Sequence, residues 1–336
     1  MSRAEGAARM VVLQDGSAVG SARRAAVAFA EANGASEELA ARVALVATEL
    51  ATNLVRHAGG GTFIMQRGAD ESELQLLSLD RGPGIASVAE ALRDGFSTAG
   101  TSGHGLGAVA RMADHCDVFS APGEGTVVLA RFDGVPAPGT RPASVALGGV
   151  SLPHPGETVC GDAWAARTAG DRMVILVVDG LGHGIAAAEA AGEAVRLFGE
   201  RFHLPAEQLM AETHAALRPT RGAAVGIATI QAAGGRVGFV GVGNIAGSVH
   251  TAGESRSLVS HAGIVGHQCH KIQEFGCPWV PGSTLVLHSD GLQTRWQLGR
   301  YPGLTECHPT IIAATLYRDY VRGRDDVTVV SAREAA

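Results

Sequence analysis

The sequence predicts a mixed α/β (α+β) chain of two domains, and three observations carry that expectation. At 336 residues the chain is about two domains long. Residues 133–146 hold Pro136, Pro138, Gly139 and Pro142 with few apolar side chains, the composition of a short, semi-stiff linker. On both sides of it, apolar strand-like runs end in aspartate and glycine and alternate with alanine-rich helical stretches. The expected division is a first domain at 1–133, a linker at 134–144 and a second domain at 145–336. No repeat relates the halves.

In the first half, residues 18–33 are alanine-rich and stop at Asn33-Gly34, a helix-end signal. Ser36 opens a second helix, with Glu37 and Glu38 in the first turn where carboxylates suit the dipole. Leu39, Val43, Val46, Leu50 and Leu54 recur at three- and four-residue steps. Arg56 and His57 fall in the last turn, where His57 reads as a dipole partner, before Gly59-Gly60-Gly61. Glu49 and Asn53, spaced i,i+4, project from one face of this helix. Strands follow at 62–67 and 73–79, the second running into Asp80-Arg81-Gly82-Pro83-Gly84. A glycine-rich loop at 97–107, containing Gly103, Gly105, Leu106 and Gly107, opens a helix at 108–113. Such a loop suits phosphate, because free backbone N–H groups point at the anion. A closing strand spans 125–132 and includes Thr126.

The second half begins with a strand at 143–152. The run Met173-Val174-Ile175-Leu176-Val177-Val178 then ends on Asp179-Gly180 and continues as Leu181-Gly182-His183-Gly184. Six apolar residues rich in β-branched side chains read as a strand buried on both faces, with the carboxylate at its outward end. Helices are expected at 185–202 and 206–217, and strands at 221–230 and 236–250 around a Gly234-Gly235 turn. Residues 284–288 repeat the pattern, an apolar strand ending in Ser289-Asp290-Gly291, and Asp325-Asp326 opens a last strand. Asp162, Asp179, Asp290 and Asp325 therefore all stand at strand edges or ends. If they converge they need cations, since two carboxylates ~4 Å apart repel by roughly 4 kcal/mol at an effective dielectric near 20. Oxygen-only ligands imply a hard divalent ion, Mg²⁺ or Mn²⁺. A pair of such ions activates water for in-line attack on phosphorus, with no serine or cysteine nucleophile required.

Composition bounds the function. Hydrophobic residues at 46% and charged residues at 18% describe a well-buried globular chain, and only 4% aromatic residues imply aliphatic cores. With a net charge of −6 and no lysine/arginine block, nucleic acid is not an expected partner. Five cysteines without a Cys-x-x-Cys pair suggest a reducing compartment and buried or incidental thiols. There is no signal-like N-terminus and no apolar run near 18 residues, so no membrane association and a cytoplasmic location are expected. His267, Cys269 and His270 have no matching fourth ligand and read as structural. His183, between glycines, reads either as structural or as a proton donor to a leaving serine oxygen.

Taken in order, the Glu49/Asn53 helix, Asp80-x-Gly82-x-Gly84 and the glycine loop resemble the ATP-binding domain of histidine kinases, gyrase and anti-sigma-factor kinases (HATPase/GHKL). Residues 49–61, 80–85 and 97–114 are more narrowly similar to RsbT-type serine/threonine switch kinases, a resemblance covering about 10–133. It implies a Bergerat/GHKL α/β sandwich that binds ATP and Mg²⁺. Glu49 would be the general base, Asn53 a Mg²⁺ ligand and Asp80 the reader of the adenine amino group. Gly82 and Gly84 would shape that corner, Gly103, Gly105, Leu106 and Gly107 the phosphate lid, and Thr126 would stand beside Asp80. No phosphoacceptor-histidine helix precedes this segment, which disfavours a sensor histidine kinase.

Residues 145–332, through Gly161-Asp162, Asp179-Gly180, Ser289-Asp290-Gly291 and Asp325-Asp326-x-Thr328, resemble PP2C-type phosphatases of the SpoIIE and RsbX branch. Gly241-Val242-Gly243-Asn244-Ile245 and Gly263-Ile264-Val265-Gly266 look particularly like the RsbX type. A PP2C-like αββα sandwich with two Mn²⁺ or Mg²⁺ ions is then implied. Asp162 would bridge both ions, Asp179 and the Gly180 carbonyl would serve the first, and Asp290 and Asp325 the second. Together the resemblances imply a regulator that phosphorylates and dephosphorylates serine or threonine on STAS-domain partners. Those partners are stressosome scaffolds or anti-sigma-factor antagonists, with a downstream PP2C or sigma-regulatory protein as a further one. Two alternatives use the same residues: a phosphatase governed by a domain that only senses ATP or docks the partner, and an anti-sigma factor that binds a sigma factor.

Overall fold

The computed structural model describes residues 8–69, 71–93, 105–135, 145–251 and 253–334. The chain divides into two compact units, Met1–Gly139 and Thr140–Ala336. Gly103 and residues 136–144 of the expected linker lie outside the described residues.

The first unit holds an antiparallel sheet in the order β1-β2-β3-β5-β4, built from β1 (Arg9–Leu13), β2 (Gly61–Arg67), β3 (Glu73–Leu79), β4 (His115–Ser120) and β5 (Thr126–Asp133). Its helices are α1 (Ser17–Ala32), α2 (Glu37–Ala58), the single turn α3 (Val88–Ala91) and α4 (Gly105–Met112). The long helix α2 starts and stops where its sequence signals stand. Ser36 Oγ accepts the Leu39 N–H at 3.2 Å, and Gly59 closes the helix at φ 72°, a left-handed conformation that glycine adopts without a Cβ clash. Val43, Val46, Leu50 and Leu54 of α2 pack with Phe29 of α1 and with Phe63, Met65, Leu76 and Phe132 from the sheet. One face of α2 is thus committed to the core, and Glu49 and Asn53 are held at its margin.

The second unit is a mixed α/β layer structure of two five-stranded paths. One sheet runs β13-β10-β9-β8-β7 with β14 also pairing β10, and the other runs β12-β11-β15-β16-β6. The strands are β6 (Val145–Leu152), β7 (Asp162–Ala169), β8 (Arg172–Gly180), β9 (Ala223–Gln231), β10 (Arg236–Val242), β11 (Ala246–Thr251), β12 (Glu254–Leu258), β13 (Ser260–His261), β14 (Phe275–Pro278), β15 (Thr284–His288) and β16 (Val327–Glu334). Helices α5 (Ile185–Arg201) and α6 (Ala206–Ala216) cover the first sheet, laying Ala194, Phe198, Leu209 and Met210 on Val174, Leu176, Val178, Val225 and Ile227. Helix α7 (Pro309–Tyr320) packs on β6 and β16 of the second. Because side chains alternate along a strand, Ile175, Val177 and Asp179 face away from α5 and α6, toward the layer between the sheets. The expected helix-sheet-sheet-helix sandwich is present.

The structure departs from the sequence expectation at several elements. The stretch 236–250 is not one strand: it breaks at Gly243 (φ 97°), where the chain leaves β10 in one sheet for β11 in the other. A Cβ there would lie 2.5 Å from Ala224 Cβ, so only glycine fits the corner. β1, β4 and α7 lay outside the expected elements. All five cysteines are free and half-buried. Among the described residues no helix is long and apolar enough to cross a membrane.

The seat of α7 rests on a missing side chain. A Cβ at Gly148 in β6 would approach the Thr310 backbone nitrogen to 2.5 Å. Gly148→Ala is expected to lower the stability of the second unit by about 1–3 kcal/mol, as overpacking does. Chemical denaturation followed by circular dichroism checks this.

Candidate functional site

Two constellations take shape, one in each unit. In the first, Glu49 and Asn53 are half-buried one turn apart on α2. The N-terminus of α4 comes against them: a Cβ at Gly105 would stand only 3.2 Å from Asn53 Oδ1. The absence of a side chain at 105 therefore leaves backbone open beside the Asn53 amide. Leu106 packs on the core of the unit and Gly107 is buried, so the start of α4 is anchored. Asp80 leaves the end of β3, and its Oδ1 accepts N–H groups from Gly82 at 2.8 Å and Thr126 at 3.1 Å. Thr126 Oγ1 lies 2.9 Å from Ser120 Oγ, which also accepts the Ile85 N–H. Gly82 lies so near the end of α2 that a Cβ would meet Ala58 Cα at 2.8 Å. Gly84, at φ 71°, has the Ala121 carbonyl where a side chain would be. Helix α2, the β3 corner and the start of β5 thus hold one another in register. Gly103 lies outside the described residues.

In the second unit, carboxylates from both sheets gather at one end of the sandwich. Asp162 at the start of β7 is paired directly with Asp179 at the end of β8, so both project from the same face. Asp162 is only 6% exposed. Ser289, beyond the end of β15, donates from Oγ to Asp162 Oδ2 at 2.6 Å and accepts the Thr328 N–H at 2.9 Å. One hydroxyl therefore ties β7 of one sheet to the β15–β16 pair of the other. Asp290 follows Ser289, and Asn244 Nδ2 donates to its Oδ2 at 2.7 Å. Asp325 Oδ1 accepts the Asp326 N–H at 2.9 Å, and the buried Asp326 accepts the His154 N–H at 2.7 Å. Gly180 and Gly291 are forced: a Cβ at 180 would collide with the Ala187 carbonyl of α5, and one at 291 with the Asp326 carbonyl. His183 Nδ1 lies 2.9 Å from Glu157 Oε1, and its ring stacks on His154 with centroids 4.8 Å apart.

These acids perturb one another. Burial, and then the charges of Asp290 and Asp325, push the Asp179 carboxyl up to about 7. Burial and the neighbouring Asp179 raise Asp162 well above the usual carboxylate range, against the opposing pull of the Ser289 hydrogen bond. Asp326 is also raised, mainly by burial. Among the described residues no three His, Cys, Asp or Glu side chains are grouped so that they could hold a metal ion as they stand. His267, Cys269 and His270 form no such group either.

Residues 13–132 match the histidine kinase-like ATPase domain family, and residues 169–334 match the stage II sporulation protein E (SpoIIE) family. The serine/threonine-protein kinase RsbT of Bacillus subtilis (strain 168) is 38% identical over 92 residues, which cover 27% of this chain and 69% of that protein. The chain belongs to the RsbT kinase family, fused to a SpoIIE-type PP2C domain. The phosphoserine phosphatase RsbX of the same organism is 25% identical over 138 residues, covering 41% of this chain and 69% of the relative. A solved structure described as "The bacterial stressosome: a modular system that has been adapted to control secondary messenger signaling" is 26% identical. It covers 56% of this chain and 99% of its own, with a TM-score of 0.53.

For the PP2C domain the donor chemistry suits divalent metals: the converging side chains are all carboxylates, and their mutual repulsion is what a cation removes. For the RsbT-type domain the open backbone beside Asn53 is a cradle that a side chain at Gly105 would fill. An ATPase-like domain and a PP2C domain imply nucleotide and divalent ions for this chain. Ser289, Asn244 and Asp326 stood in the motifs but were assigned no role in the site, Asp325 being preferred to Asp326 as the ligand. The Ser-Asp-Gly and Gly-Asn motifs that contain the first two were visible, but nothing local indicated where their side chains reach.

The raised carboxyls set a pH dependence. Asp162 and Asp179 hold protons in the folded state at pH values where the unfolded chain, with carboxyls near 3.9, has released them. Without metal, the stability of the PP2C domain should fall as pH rises from about 4 to about 7. The loss from Asp179 alone is on the order of 3–4 kcal/mol, about ten degrees in melting temperature. Melting curves at pH 5 and pH 8 check this: Asp179→Asn should flatten the dependence, and Mn²⁺ at pH 8 should restore the wild-type protein.

Proposed function

We propose that this chain is a two-headed regulator whose PP2C domain removes phosphate from phosphoserine or phosphothreonine and whose RsbT-type domain puts it there. The observation that carries the first half is the Asp162–Asp179 pair, joined through Ser289 to the strand ends bearing Asp290 and Asp325. Asp162, Asp179 with the Gly180 carbonyl, Asp290 and Asp325 would hold two Mn²⁺ or Mg²⁺ ions. Bound there, the ions would neutralise the phosphoryl oxygens and make water acidic enough to act as the nucleophile. The protein's own part is positioning. Ser289 fixes the Asp162 rotamer, Asn244 orients Asp290, and the buried backbone contacts of Asp326 hold the β16 entry in place.

The kinase half rests on the Glu49/Asn53 face opposite Gly105. Phosphoryl transfer asks mainly for alignment and charge neutralisation. Glu49 would take the proton of the acceptor hydroxyl, and Asn53 would ligate Mg²⁺ of ATP. Asp80, braced by Gly82 and Thr126 and shaped by Gly84, would read the adenine amino group. Gly103, Gly105, Leu106 and Gly107 would cover the phosphates. The names of the relatives, a serine/threonine-protein kinase and a phosphoserine phosphatase, support this pairing of activities, as does the likeness to a stressosome structure. STAS-domain proteins, as stressosome scaffolds or anti-sigma-factor antagonists, are the proposed substrates, in the cytoplasm.

Labelled ATP and a purified STAS-domain partner separate the two heads. The Asp290→Asn chain should accumulate phosphorylated partner, whereas Asp290→Asn combined with Glu49→Gln should not. Wild-type chain with Mn²⁺ should release phosphate from the phosphopartner at least a hundredfold faster than Asp290→Asn. If Asp290→Asn binds ATP yet transfers nothing to any STAS partner, the kinase half fails and an ATP-sensing or docking domain takes its place.

A further inference from the structure

We propose that Arg221 binds the phosphoryl oxygens of the substrate at the PP2C site, which makes it a determinant of substrate binding. The inference rests on the phosphatase reading above and adds the cation that the carboxylate cluster lacks.

Arg221 is exposed and lies just before β9. β8 and β9 are antiparallel neighbours with Asp179 opposite Ala224 and Gly180 opposite Ala223. The pairing continues past the strand ends, where the Leu181 N–H donates to the Gly222 carbonyl at 3.0 Å. Residues 179–182 and 221–224 therefore run side by side, and the guanidinium is delivered to the turn that follows Asp179. Its Nη1 stands 3.5 Å from where a Cβ would be at Gly182, which at φ 86° has no side chain to fill that space. Among the described residues Arg221 makes no ion pair or side-chain hydrogen bond. Glu157, which flanks the same turn at Gly184, is engaged with His183 instead.

Charge explains why such a group is needed. Five carboxylates, Asp162, Asp179, Asp290, Asp325 and Asp326, stand at this end of the sandwich. Two divalent ions would neutralise four of them and leave no surplus positive charge for a doubly negative phosphoryl group. A guanidinium offers paired N–H donors that match two phosphoryl oxygens, and an unpaired one at the rim carries no partner to be displaced. The other arginines nearby are placed differently. Arg322 bonds through its backbone to the Gly291 carbonyl and acts electrostatically on His288, while Arg324 precedes Asp325 on the opposite sheet. The ligand class is a phosphomonoester dianion, and Leu181 and Ile185, exposed at 48% and 71% on the same turn, supply apolar surface beside it.

The test uses the full chain with Mn²⁺, p-nitrophenyl phosphate as substrate and inorganic phosphate as an equilibrium ligand in calorimetry. Arg221→Ala should raise KM about ten- to a hundredfold with kcat changed less than threefold, and weaken phosphate binding by the same factor. Arg221→Lys should recover part of both, since it keeps the charge and loses the fork. Arg324→Ala should leave both within twofold, and Mn²⁺ affinity should be unchanged in Arg221→Ala. An unchanged KM and phosphate affinity in Arg221→Ala overturns the proposal, as does an effect confined to Arg324→Ala. If the wild-type chain hydrolyses no phosphomonoester, the phosphatase reading fails, and the phosphate-binding comparison still decides Arg221.

Discussion

Like-charge repulsion is the constraint around which the second unit is built. Placing Asp162 directly across from Asp179 sets two carboxylates on one face at neighbouring strand positions, and Asp290 and Asp325 add their charge from the other sheet. A chain that folds this way accepts a cost that an apolar pair would not impose. The structure distributes that cost. Protons remain on Asp162 and Asp179 beyond the usual carboxylate range, Ser289 donates to Asp162, Asn244 donates to Asp290, and backbone N–H groups serve Asp325 and Asp326. Glycine at 180 and 291 lets α5 and the β16 entry close on the cluster without intervening side chains. Divalent ions would complete the arrangement, and the sandwich is the frame that keeps the acids from moving apart.

The first unit solves the opposite problem with local means. Glu49 and Asn53 come from a single helix whose caps, apolar stripe and dipole-matched ends are all encoded within 24 residues, from Ser36 to Gly59. The corner at Asp80 is likewise short-range, apart from the Thr126 N–H that closes it. Here the acids are not crowded together; the cradle arises because Gly105 and Gly82 omit side chains where α4 and the β3 corner approach α2.

This difference explains what could be read from the sequence. Elements with strong local codes appear almost where they were expected: α2 between Ser36 and Gly59, β8 ending on Asp179-Gly180, and α5 following Gly184. Elements whose identity depends on distant partners were missed. His115–Ser120 alternates poorly and becomes a strand only by pairing with β5, and β1 becomes one only beside β2. Helix α7 is buried nearly all round, including Thr310, Thr315 and Arg318, so it shows no amphipathic stripe. The break at Gly243 is a sheet-to-sheet corner imposed by Ala224, far away in sequence. In the candidate site, Asp179 and Asp290 follow apolar runs, whereas Asp162 and Asp325 stand at strand starts, so each could be picked out as a strand-edge acid. The Ser289 hydroxyl could not, because its partner Asp162 is 127 residues away.

The central claim is that this end of the sandwich is a two-ion site assembled by repelling carboxylates. Anomalous diffraction from crystals of the full chain grown with Mn²⁺ tests it most directly. Two manganese peaks among Asp162, Asp179, Asp290 and Asp325, with both lost or depleted in Asp162→Asn crystals, are the expected result. Manganese bound elsewhere, or no peak at these four residues at millimolar Mn²⁺, would contradict the account.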